Sequence, residues 1–150
     1  MKWIKRTGLI ILVVLAGIQF IPISRNNSAE KPSTDFIQYY KPTEKISNIL
    51  KVSCYNCHSN HTDYPWYSHI QPIGLYLENH IDEGKEHLNL SEYKNYSARQ
   101  QRNKLTFMIG QIEENEMPLP AYTFIHRDAK LSDEDKKDLI AYLESLKEGI

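Results

Sequence analysis

The only two cysteines of this 150-residue chain, Cys54 and Cys57, stand three positions apart, and the next residue is His58. A thiolate is a nucleophile and a metal ligand. An imidazole can bind a metal through one ring nitrogen while the other nitrogen takes a second partner. In a C-x-x-C-H run each sulfur can add to one vinyl group of a haem. The adjacent imidazole then faces the iron. The pattern therefore reads as attachment of a c-type haem, covalently and once per chain. Two rival readings use the same residues. Cys54 and Cys57 could close a redox disulfide, but the surrounding sequence lacks the strand-helix-strand pattern of a thioredoxin. Cys54, Cys57, His58 or His61 could bind zinc, but a tetrahedral site usually wants a second ligand pair at similar spacing, and the sequence has none.

Iron held by a histidine on one face takes a methionine, a second histidine or nothing on the other. Met117 sits between Glu116 and Pro118, with Pro120 close behind. Two prolines stiffen such a loop and let it aim a side chain free of helical constraint. Met117 is the preferred distal ligand. Met108 falls on an apolar helical stripe and reads as core filling; a histidine or an open site is the other alternative. His80 reads as a core or haem-edge residue, and His61, His69 and His126 as loop residues. Trp66 and Tyr67, in an unusually aromatic stretch, are expected either to pack the loop or to line the haem, donating a ring N–H or O–H to a propionate. The carbonyl of Pro72 is expected to take the second ring nitrogen of His58 and so fix its tautomer.

The elements that must position these residues read as helices, with almost no strand signal. Ile46, Ile49 and Leu50 share one face of a helix from Pro42 to about Val52, which runs directly into the cysteines. Pro72 opens a second helix with Ile73, Tyr76, Leu77, His80, Ile81 and Gly84 on one stripe. Ser97 and Gln100 form a capping box ahead of a helix bearing Leu105, Met108, Ile109 and Ile112. Residues 89–96 read as a polar connection and 116–130 as irregular. Ser132 caps a last helix whose apolar face is Leu139, Ile140, Leu143 and Leu146. So few apolar side chains suit a fold that buries a large apolar cofactor.

The N-terminus looks like an address. Lys2, Lys5 and Arg6 precede an apolar run from Gly8 to Ile21, stopped by Pro22. This reads as a signal anchor or signal peptide over 1–25, then a tether over 26–41 and the haem-binding domain over 42–150. The charge bias places the N-terminus in the cytoplasm and the body in the periplasm, at the inner membrane. The chain's net charge of −1 is unevenly spread: residues 26–150 hold 14 basic and 19 acidic side chains. Such an acidic body argues against nucleic acid as a partner.

Several segments together resemble the bacterial haem-binding domain proteins, small exported or membrane-anchored single-haem proteins. They are residues 54–60, Tyr64 to Ser68, His80 to Gly84, Leu88 to Ser91 and Glu116 to Leu119. The resemblance spans about residues 40–147. The chain is more loosely similar to class I cytochrome c, where the attachment motif follows a first helix and a Met-Pro loop supplies the distal ligand. It implies an all-α fold around a covalent haem, preceded by an N-terminal membrane helix. It also implies haem attachment at Cys54 and Cys57, with iron held by His58 and Met117. The expected activity is one-electron transfer with redox partner proteins at or near the membrane, not catalysis. A haem-based sensor or small haem enzyme with an open or displaceable distal site is the alternative.

Overall fold

A computed structural model describes residues 2–30 and 32–150. Eight α-helices follow one another among them: α1 (Lys2–Ile18), α2 (Phe36–Tyr40), α3 (Glu44–Leu50), α4 (Asn56–His58), α5 (Ile73–His87), α6 (Ala98–Glu113), α7 (Pro120–Ile125) and α8 (Asp133–Glu148). A single antiparallel bridge, Asn27 to His61, is the nearest thing to sheet among the described residues. The all-helical reading therefore holds.

The expected membrane helix does not. α1 has 17 residues, about 26 Å at 1.5 Å per residue, against a hydrocarbon core of roughly 30 Å. It ends because Gln19, Phe20 and Ile21 donate to the carbonyls of Ala16, Gly17 and Ile18, three residues back, which tightens the last turn ahead of Pro22. No helix among the described residues is long and apolar enough to cross a membrane. This overturns the membrane span and the inner-membrane anchoring.

Local signals explain most of the other boundaries. Thr43 caps α3, its hydroxyl accepting from Ile46 N, a partner for one of the free N–H groups of the first turn. Both capping boxes form, Ser97 with Gln100 and Ser132 with Asp135. α6 buries Leu105, Met108, Ile109 and Ile112, and α8 buries Leu139 and Leu143. These faces meet Ile46, Ile49 and Leu50 of α3 in one core. Lys45 reaches Glu134 and Asp138 at 2.7 Å each, joining α3 to α8 at the surface.

Three expectations are corrected. Residues 89–96 are not merely a polar connection: Leu90 and Tyr93 are fully buried there, and the Tyr93 hydroxyl donates to Gln101 O at 2.8 Å. The Tyr93 ring meets Phe36 edge-on with centroids 4.9 Å apart, the arrangement that aromatic quadrupoles favour. Within 116–130 a helix does form, α7, because Pro120 takes its first position, where a missing N–H costs nothing. Finally, α5 is rotated from the expected stripe. It buries Gly74, Glu78 and Ile81 and leaves Ile73 and Tyr76 exposed. Gly74 permits close contact with Ser68 O, and Glu78 is drawn in by the Tyr64 hydroxyl at 2.9 and 3.1 Å.

Several described residues of the expected 26–41 tether are bonded to the body. Asn26 is buried, Ser28 N donates to Asn60 O and Thr62 N to Asn26 O, and Phe36 lies in the core.

Candidate haem site

α3 does not stop where the cysteines begin. It widens into a π turn, Lys51–Tyr55, and re-forms as the single turn α4. Cys54, Cys57 and His58 stand at i, i+3 and i+4 of this continuous helical stretch, and residues at that spacing share a face. π turns of this kind recur at functional sites. All three side chains are half-buried.

The ring of His58 is held from one side. Its Nδ1 lies 2.8 Å from Gly84 O and 3.1 Å from Leu88 O. Both neighbours are acceptors, so Nδ1 carries the proton and Nε2 keeps its lone pair. Burial holds the imidazole pKa below its usual value, while the two carbonyls oppose that shift. The expected Pro72 carbonyl is not the partner: Pro72 O accepts from Tyr76 N at the start of α5. The end of α5 does that job because it can come close. A Cβ on Gly84 would lie 2.9 Å from Cys57 O and 3.4 Å from His58 Cε1.

Burial also pushes the Cys54 thiol up to about 12 and the Cys57 thiol up to about 11. Redox dithiols work the other way, through a depressed pKa. No three His, Cys, Asp or Glu side chains gather to hold a metal ion among the described residues. His61 is turned away, with Nδ1 3.1 Å from Ser28 O. The donor set is two protonated thiols and one neutral imidazole with a free Nε2. An imidazole with a free Nε2 fits a haem ligand, whereas a zinc cage needs more donors than gather here among the described residues.

A family model described as a haem-binding domain matches residues 13–145. The chain belongs to that family. Neither the curated proteins nor the solved structures give a match. Haem is thus the cofactor of this haem-binding domain.

The remaining expected residues are spread around this centre. Trp66 is 76% exposed, its ring 6.0 Å from that of Tyr67. The Tyr67 hydroxyl shares a 2.6 Å hydrogen bond with His126 Nε2. Met117 is half-buried. Its backbone N–H is tied to Gln111 O at the end of α6. Its side chain lines a cleft of about 550 Å³ with Pro118, Pro120, Phe124, Arg127 and Leu131 among others. Cys54, Cys57 and His58 are not in that lining. The His80 ring meets that of Tyr76 at 4.2 Å, tilted by 40°, on the outer side of α5.

Sequence reading missed the supports. Backbone carbonyls such as Gly84 O and Leu88 O carry no sequence signal. Asn26 carried none either, being one of two adjacent asparagines in a polar stretch. Its Nδ2 donates to Ser59 O at 2.8 Å and Thr62 Oγ1 at 2.9 Å, and its Oδ1 accepts from Lys85 Nζ at 2.7 Å. Thr62 Oγ1 in turn donates to Asn56 O at 2.6 Å. This set fixes the chain as it leaves the motif.

Proposed function

We propose that this haem-binding domain is a mono-haem c-type cytochrome that carries single electrons between redox partner proteins, and is not a catalyst. The observation that carries the reading is the held ring of His58. An imidazole whose Nδ1 is bound to two carbonyls is pre-set to offer Nε2 to an iron. In this reading Cys54 and Cys57 hold the haem as thioethers, each S–H adding across one vinyl C=C with nothing released. His58 is the proximal ligand and Met117 the distal one. The bound haem supplies an iron that changes oxidation state by one electron, with a potential raised by a methionine ligand relative to two histidines.

The chain's own residues do the rest. Gly84 O and Leu88 O orient the imidazole, and burial keeps it neutral. The acidic body favours a partner with a basic surface by steering encounter. The test is a pair of visible spectra, oxidised and reduced, of protein produced with a c-type maturation system. The expected result is a low-spin spectrum with a methionine–iron charge-transfer band in the red, abolished by Met117→Ala. A high-spin spectrum indifferent to that substitution contradicts the distal assignment.

That outcome favours the second reading, a haem sensor or small haem enzyme with an open sixth position. One observation supports it: the cleft that holds Met117 is not lined by the motif residues. Ready binding of carbon monoxide by the reduced protein is its signature.

A further inference from the structure

Haem attachment asks nothing in particular of the two residues between the cysteines, yet the second of them, Asn56, is committed to specific partners. Its Oδ1 accepts from Asp63 N at 3.1 Å, and its Nδ2 donates to the Tyr122 hydroxyl at 2.9 Å. Tyr122 belongs to α7, which begins three residues after Met117. Its ring stacks on His126, with centroids 4.3 Å apart and planes 18° off parallel. His126 Nε2 shares the 2.6 Å hydrogen bond with Tyr67, in the 3-10 turn Trp66–His69 that follows the motif. The run Asn56, Tyr122, His126, Tyr67 therefore starts in the attachment motif and ends just beyond it. In between it grips the segment that carries Met117.

What makes this grip matter is how little else α7 has. None of its six residues is buried, and Phe124 is 80% exposed. Apolar packing does not fix this helix; polar bonds and one ring stack do. A hydrogen bond of this kind contributes little net, so a segment held this way opens locally at small cost.

We propose that Asn56, Tyr122 and His126 form a latch that sets how firmly the Met117 segment closes over the iron, and so how readily an outside ligand takes the sixth position. They are positioning residues. The proposal rests on the reading of Met117 as distal ligand and adds what regulates that bond. It also links the two readings above: latched, the domain is an electron carrier; unlatched, its iron is accessible.

The test is a titration of the full-length ferric holoprotein with imidazole, followed by loss of the methionine–iron band. Tyr122→Phe keeps the ring stack and removes the acceptor oxygen. Asn56→Ala removes the donor. Each should raise imidazole affinity about three- to tenfold, and the double variant should gain no more than the larger single effect, since both break one interaction. Unchanged affinity overturns the latch, even if the variants unfold at lower denaturant concentration, because that would be a purely structural role. Fully additive effects overturn it too. Should Asn56→Ala fail to accumulate, Tyr67→Phe breaks the outer bond from outside the motif and is read the same way. A wild-type spectrum without the band, indifferent to Met117→Ala, instead overturns the ligand assignment and the latch with it. An intact band with unresponsive latch variants overturns the latch alone.

Discussion

In the proposed cytochrome, His58 owes its orientation as a ligand to the residue 26 positions later. Gly84 supplies a carbonyl to Nδ1 and, by lacking a side chain, lets α5 approach to where a Cβ would stand 2.9 Å from Cys57 O. The neighbour there is backbone, which cannot swing aside. Gly84→Ala should therefore push α5 off the motif, destabilising the protein by about 1–3 kcal/mol, as overpacking does. Urea unfolding measures it, and an unchanged or raised midpoint contradicts the close approach. The motif residues were legible in the sequence because the proposed thioether attachment needs fixed types at fixed spacing. The support of the His58 ring was not, because it is made by main-chain oxygens. Sequence reading placed that bond at Pro72, on the right helix but at the wrong end.

Among the elements, α6 and α8 were readable because their signals are local: a capping box followed by apolar residues at helical spacing. α5 was misjudged in rotation, since its buried face is chosen by tertiary contacts. Gly74 admits a backbone, and Glu78 meets a tyrosine hydroxyl. Residues 89–96 looked polar because Tyr93 and Tyr96 bury rings while satisfying their hydroxyls, at Gln101 O and Asn89 N. The strap around Asn26 joins three elements with one side chain: the motif's exit, the loop at Thr62 and α5 through Lys85. Asn26→Ala leaves Ser59 O and Lys85 Nζ without that partner. It should cost about 1–3 kcal/mol, the usual penalty for stranding buried polar groups. The check is chemical denaturation at neutral pH. A loss under a few tenths of a kcal/mol would mean that the strap merely lies on the surface.

On the scale of the whole molecule, the apolar N-terminal run read as a membrane span because an apolar stretch of nearly that length follows Lys2, Lys5 and Arg6. The helix it forms is 17 residues long and gives way to tightened turns, then to a strap docked on the body. Gln19 and Gln71 exchange two hydrogen bonds there, at 3.0 and 3.1 Å. Arg25 binds Ser68 and lies over the Tyr64 ring at 4.4 Å. In the proposed cytochrome a haem is joined through both sulfurs of the motif. The most direct measurement is the intact mass of denatured protein made with a c-type maturation system, together with thiol labelling. The account predicts a gain of one haem that survives denaturation, and no cysteine open to alkylation. Haem released on denaturation, with Cys54 and Cys57 both alkylated, would contradict it.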